Sequence, residues 1–432
     1  MKKQFIFILY SLFLCVGTIA ATNYNVLQQG AVGDGKTLNT KSLQSAIDAL
    51  HAKGGGQLYF PAGRYLTGSL QLKSNVTLYL EKEAVLLGST SPYDYPGFST
   101  EKELKVNNDH FDQALIYAEG AENIGITGEG CIDGQGRELA LTIDSLHHTG
   151  ELVDKRYNTY RKRPNTRPKL LFMRNCRKVE LRKTSFRSGA AWGLSFSLCV
   201  DLTIDSLHVE NRAYWNNDGI DISDCKDVRI SNCFINSADD GICLKSHNRG
   251  AWNDRVSISN CHIISSASAI KFGTESLGGF KNVTIDNIRI KDTFRSAIAI
   301  ESVDGAEIEN VKLENIEIVC PGRATRGMAY MSVSRLKDVP ENEKGYPEFT
   351  MFEELPSWGF YVRHVKGIQM HNVKLRLQED DFRPAFVFDR VSDVRLSDIS
   401  LPENKKAGQV VLRQTSLQSA DNAVKEYVRE VE

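Results

Sequence analysis

The chain has 432 residues, 41% of them hydrophobic and 25% charged, with a formal net charge of −1. That balance excludes a disordered chain or one embedded throughout in a membrane, and it offers no basic surplus for nucleic acid. The length fits two or three ordinary domains or one large repetitive one.

Lys2 and Lys3 precede an apolar run from Phe5 to Val16, and Gly17, Thr18, Ile19, Ala20 and Ala21 follow. This is the order of a secretory signal peptide over residues 1–21, with a run too short to span a bilayer comfortably. Cys15 follows Leu14 where a lipid anchor would call for a small residue, so lipidation is not expected. No later segment is apolar enough to cross a membrane. The expected product is an exported monomer, periplasmic or extracellular. Cys176, Cys199 and Cys225 recur at 23 and 26 residues, and Cys233 and Cys261 lie 28 apart. Such spacing suits small buried side chains in a ladder better than disulfides. There is no Cys-x-x-Cys pair for zinc, and neither a metal nor another cofactor is expected.

Residues 22–70 read as an N-terminal cap. A strand at Tyr24–Leu27 leads through the turn Gly30–Gly35 to a short helix, capped by Asn39 or Thr40 and running to about Leu50. A strand at Gln57–Phe60 follows. Repeats then begin with SNVTLYL at Ser74 and continue through RKVELRK, VDLTIDS, KDVRISN, DRVSISN and KNVTIDN to SDVRLSD at Ser392. The same apolar position recurs at Val179, Leu202, Val228, Val256, Val283 and Val311, at intervals of 23 to 28 residues. Short alternating strands at that period predict an all-β solenoid, a single-stranded right-handed parallel β-helix over residues 71–402. Long loops are expected at 137–169 and 321–357, and a C-terminal tail at 403–432. Asn or Asp between paired strands suits tight bends.

One strand per repeat carries the chemistry. WGLSFS, DGIDIS, DGICLK, SAIKFG and SAIAIE align so that Leu194, Ile220, Ile242, Ile270 and Ile298 face inward. The residues between them form outward columns: Trp192/Asp218/Asp240/Ser268/Ser296, Ser195/Asp221/Cys243/Lys271/Ala299 and Ser197/Ser223/Lys245/Gly273/Glu301. With rungs roughly 4.8 Å apart, one exposed face gathers Asp218, Asp221, Asp239, Asp240, Lys245 and Lys271. Carboxyls this close cannot all ionise freely, so a proton donor is expected beside carboxylate acceptors. Glycosidic hydrolysis needs that pair. A single Asp would more often be a corner residue; three together beside Lys271 favour a site.

Asn216-Asn217-Asp218 and Asp239-Asp240 resemble the Asn-Thr-Asp and Asp-Asp motifs of glycoside hydrolase family 28, the polygalacturonases and rhamnogalacturonan hydrolases. The stretches NVLQQGAVGDGKTLNTKSLQSAIDAL and ITGEGCIDGQG are similar to bacterial members, and the resemblance covers roughly residues 23–400. It implies an inverting hydrolase acting on acidic plant cell-wall pectin. Asp239 would be the general acid, with Asp218 and Asp240 holding and activating the water. Rung spacing alone would suit retention, which needs closer carboxyls. Two family motifs are altered: Gly-His-Gly falls on Ala267-Ser268-Ala269, and the carboxylate-gripping Arg-Ile-Lys on Ala299-Ile300-Glu301. Lys271, Lys245, His247 and Arg249 are candidates to restore positive charge, and Asn216, Asp221 and Glu275 are further substrate-binding candidates. The basic run Lys155–Lys169, with Tyr157 and Tyr160, reads either as a flap for an anionic polysaccharide or as a solvated loop. Trp192 and Trp215 are either sugar platforms or core. Two other functions stay open: a polysaccharide lyase with Ca²⁺ on Asp218, Asp221 and Asp240 and Lys271 as base, and a non-catalytic glycan-binding β-helix.

Overall fold

The computed structural model describes residues 22–95, 113–152, 157, 166–322, 333–342, 355–402 and 408–432. The expected signal peptide lies outside them, as does most of the basic run between Lys155 and Thr166.

The repeats form a right-handed parallel β-helix in which each coil pairs with the next at a fixed register. Val179 pairs with Leu202, Leu202 with Val228, Val228 with Val256, Val256 with Val283 and Val283 with Val311. All six side chains are buried, so the recurring apolar position is the core ladder itself. The bends between strands use Asn232, Asn260, Asn287 and Asn315 at φ of 53–56°, a left-handed conformation that Asn tolerates better than most residues. Their side chains also bond from rung to rung, as Asn260 Nδ2 does to Asn232 Oδ1 at 3.2 Å and Asn287 Nδ2 to Asn260 Oδ1 at 2.9 Å.

The strands that carry the candidate site belong to one 12-stranded sheet running the length of the molecule. In its centre lie Leu194–Ser197, Ile220–Ser223, Ile242–Ser246, Ile270–Ser276 and Ile298–Glu301, followed by Phe360–Arg363, Phe386–Asp389 and Val410–Arg413. The pairs Asp221–Cys243, Cys243–Lys271 and Lys271–Ala299 match the sequence-based columns.

Four expectations change. The first strand is Thr22–Asn25 rather than Tyr24–Leu27, because Val26–Gln29 turns into a 3₁₀ segment. The capping helix spans Thr40–Ala52, but Asn39 does not cap it with its side chain. Asn39 instead closes the preceding turn, accepting from Val32 N–H at 2.7 Å and donating to Thr37 O at 2.8 Å. The loop at 137–169 opens with a helix, Gly136–Thr149, whose Leu139, Ala140 and Ile143 are buried. Of the expected tail, residues 408–432 continue the solenoid: Val410–Arg413 and Val428–Val431 pair in parallel with the rungs before them. Its Val-Val-Leu-Arg and Val-Arg-Glu-Val strands carry the sheet past residue 402.

Candidate active site

The Asp-Gly-Ile pair exists because the backbone needs glycine there. A Cβ on Gly219 would sit 2.4 Å from Gly241 O, and one on Gly241 would sit 2.5 Å from Ala269 O. Gly219 N–H donates to Asp240 O and Gly241 N–H to Ser268 O, both at 2.9 Å, which stacks Asp218, Asp240 and Ser268. Asn217 is wholly buried and donates to Gly189 O (2.9 Å) and Ala191 O (2.7 Å), so it holds the turn that aims Asp218.

The group is far less exposed than its outward columns suggested. The side chains of Asp218, Asp221, Asp240, Lys245 and Lys271 are at most 8% exposed, whereas Asp239 keeps 25%. The columns do leave the core, but their side chains are largely shielded from solvent, which the strand period does not record. Lys245 Nζ donates to Asp218 Oδ2 at 3.1 Å and to Asp221 Oδ1, and lies 3.5 Å from the centre of the Trp192 ring. Lys271 Nζ sits 3.3 Å from Asp240 Oδ2, and Ser268 N–H donates to Asp240 Oδ1 at 3.2 Å. Arg295 Nη1 is 4.0 Å from Asp239 Oδ1.

These neighbours separate the carboxyls. Burial raises Asp218 well above the ordinary carboxylate range, and Asp221, Asp239 and Asp240 add to it against the pull of Lys245. Burial also raises Asp239, with Asp240 next. Burial would raise Asp240 too, but Lys271, Arg295, Lys245 and the Ser268 N–H outweigh it and hold its carboxyl low. The site therefore sets two carboxyls that burial raises, Asp218 and Asp239, beside one held low, Asp240.

Of the residues expected from sequence, Asp218, Asp221, Asp239, Asp240, Lys245 and Lys271 come together. Lys245 and Lys271 do so as partners of the aspartates, and no longer read as spare cations for substrate. His247 and Glu275 meet each other through Nδ1 and Oε2 at the end of the same strands. Asp224, which the sequence reading passed over, holds His247 in place by accepting its N–H at 3.0 Å. Asn216 sits at φ 55° and accepts from Arg167 Nη2 at 3.1 Å. Arg167 also donates to Ala190 O at 2.6 Å and Trp215 O at 2.7 Å, and is 3% exposed, so this end of the basic run is a clamp rather than a solvated loop. Trp192 is buried, while Trp215 is 67% exposed and presents a ring to solvent.

Arg295 was missed. Its signal was available in the register: Asn217, Asp239, Ala267 and Arg295 each directly precede a member of the Asp218 column. Glu301, in the column of Ser223 and Lys245 and paired onward with Arg363, is a buried carboxyl, 1% exposed, with Oε2 lacking a hydrogen-bond partner. Among the described residues no group of three or more His, Cys, Asp or Glu is placed to hold a metal ion. The ammonium of Lys245 occupies the position between Asp218 and Asp221 that a shared Ca²⁺ would need. Burial would lower Lys271, but Asp240 and its other acidic neighbours raise it above the ordinary lysine value, opposite to what a lyase base requires.

Residues 56–320 match the sequence profile described as glycosyl hydrolases family 28. The chain belongs to that family. Residues 23–82 also match a profile described as rhamnogalacturonase A/epimerase, pectate lyase-like. A probable polygalacturonase from Vitis vinifera is 30% identical over 67% of this chain and 57% of its own. An exo-poly-alpha-D-galacturonosidase from Dickeya chrysanthemi is 28% identical over 50% of this chain and 41% of its own. The chain thus spans about half the length of these curated relatives. A hyperthermoactive exopolygalacturonase from Thermotoga maritima shares the fold, with a TM-score of 0.61 and 21% identity over 92% of this chain and 87% of that one. No helix among the described residues is long and apolar enough to cross a membrane.

Proposed function

We propose that this family 28 member is an exported glycoside hydrolase that cleaves pectin-type polysaccharide by acid/base catalysis with inversion. The carrying observation is the split between adjacent carboxyls: Asp239 raised and the most exposed of the four aspartates, Asp240 held low by Lys271 and Arg295. Asp239 gives its proton to the glycosidic oxygen as the bond to the anomeric carbon breaks. Water attacks that carbon from the opposite face and loses its proton to Asp240. Asp218 shares in holding the water, and Lys245 fixes its orientation. Asn216, His247 and Glu275 lie along the ends of the same strands, where sugars flanking the cleaved bond would bind. The exposed ring of Trp215 fits a sugar face by stacking.

The test is Asp239→Asn. General acid catalysis supplies about 10²–10⁴-fold, so sugar release from pectin should fall by that factor while thermal unfolding stays unchanged. Release at the wild-type rate would refute the assignment and favour a glycan-binding protein. The anomer formed first, read by NMR, should be inverted. Retention would remove Asp240 as the base that activates water.

A further inference from the structure

The aspartates lie in a stretch of sheet that is closed on both sides along the coil axis. On the two rungs before Asp221 the outward positions are Ser195 and Phe172, with Trp192 and Lys169 beside them, and all four are at most 8% exposed. The Lys169 ammonium lies 4.1 Å from the centre of the Phe172 ring and 5.0 Å from that of Trp192, so this side is filled. On the rungs after Lys271 come Ala299, Tyr361 and Val387, wholly buried in one cluster with Val303, Leu336, Val339 and Leu355. Arg363 Nη2 donates to Val339 O at 3.3 Å and Asn342 N–H to Val303 O at 2.6 Å, which ties this cover down onto the rungs.

Solvent reaches the group from the ends of the strands. At one end Asp239 and Arg295 are each 25% exposed. At the other, His247 and Glu275 close on each other, and Asp224 fixes their turn by accepting from Asn248 Nδ2 at 2.7 Å. Between the ends, Asp218, Asp240, Lys245 and Lys271 form a buried floor. Two exposed aromatic side chains flank the Asp239 end: Trp215, shortly before Asp218, and Phe294, directly before Arg295. The register from Asp218 through Asp240 and Ser268 to Ser296 puts them on one edge, three rungs or roughly 14 Å apart.

A polysaccharide cut in its middle must leave the site on both sides of the broken bond. Along the axis it would pass over Ser195 and Phe172 one way and Ala299 and Tyr361 the other, where packed side chains take the place of a groove. A chain that offers its end needs one exit, and the Asp239 edge supplies it. Aromatic rings on that edge can stack on the sugars that stay outside.

We infer that the enzyme attacks chain ends: the terminal sugar enters past Asp239 to meet Asp218 and Asp240, and the units behind it rest on the rim at Trp215 and Phe294. The inference rests on the hydrolase reading above and adds where along the polymer the bond is cut.

The experiment follows the wild-type enzyme on polygalacturonan, its methyl-esterified form and rhamnogalacturonan, reading viscosity and product size against reducing ends released. End attack gives products of one size from the first time point, and viscosity falls only in proportion to the ends released. A steep early loss of viscosity with oligomers of mixed size would overturn the inference and leave the hydrolase reading standing. No release from any polymer would overturn both. Trp215→Ala and Phe294→Ala, each folded by circular dichroism, should narrow the kcat/KM ratio of a long chain to its shortest cleaved oligomer by about two- to tenfold. A ratio unmoved in both variants, the result of a purely structural role, would overturn the rim assignment.

Discussion

The outward column of the central sheet changes character at Ala299. Before it come Ser195, Asp221, Cys243 and Lys271; after it come Tyr361, Val387 and Val411, in the same register and on the same backbone. The second set forms a separate apolar cluster with Leu336, Val339 and Leu355 from the long excursion. The neighbouring column keeps its charges downstream, but matched: Arg363 Nη1 and Arg413 Nη1 share Asp389 at 3.2 and 2.8 Å, and Arg363 Nη2 also meets Glu341 at 2.6 Å. Upstream four aspartates share Lys245, Lys271 and Arg295, and burial raises Asp218 and Asp239. The difference teaches that the solenoid backbone is neutral about function. Unbalanced charge under a partial cover makes a reactive group, whereas balanced charge under an apolar cover makes a wall.

Three substitutions probe that contrast. Lys245→Met should have the largest effect, because it leaves Asp218 and Asp221 buried without their cation. Breaking a buried pair from one side costs about 3–5 kcal/mol, to be read from the denaturant midpoint. An unchanged midpoint would mean the upstream charges are not held as described.

Glu301→Gln should stabilise the protein at neutral and alkaline pH. Burial raises the Glu301 carboxyl from 4.5 to about 7, with Lys271, Asp240, Arg363 and Arg295 facing it. The folded state holds that proton more tightly than the unfolded chain. Its stability is therefore full below about pH 4.5 and is lost as pH rises toward and through about 7. The total is about 3 kcal/mol, and Gln has nothing to lose. The variant should match wild type in its pH response below 4.5 and gain on it up to 7, with a constant gap above. A pH-independent difference would place the Glu301 proton elsewhere.

The smallest effect is expected from Leu336→Ala in the downstream cover. Its side chain is buried in the satellite cluster, and truncation should cost about 2 kcal/mol with kcat/KM on pectin within about twofold of wild type. A large loss of activity would show that the wall and the reactive group are not independent.

The periodic part of this molecule was legible in advance, because Val179 through Val311 and the Asp-Gly-Ile repeats are dictated by stacking. Register alone brought Asp218, Asp221, Asp240 and Lys271 together. What escaped was everything set by aperiodic segments. The helix Gly136–Thr149 has its apolar spacing at Leu139, Ile143 and Leu146, but it interrupts the strand period that the rest of the chain follows. Arg295 sat one residue ahead of a column that was followed only through its outward members. An open column would make Lys245 a grip for substrate, whereas Trp192 and the aspartates enclose it. Burial of an outward side chain depends on what crosses above it, and no repeat records that.

The cysteines have a further consequence. Cys176, Cys199 and Cys225 sit on successive rungs, yet all three are free and buried. A hydrogen bond with Cys199, then burial, raises the Cys176 thiol; burial raises Cys243, and lifts Cys131 to about 11 and Cys320 to about 12. Only a thiolate attacks disulfides and peroxides. Thiols held protonated in this way are slow to react, with Cys261, lowered by its hydrogen bond with Cys233, as the exception. Packing that fills the core thus also passivates Cys131, Cys176, Cys243 and Cys320 against redox damage.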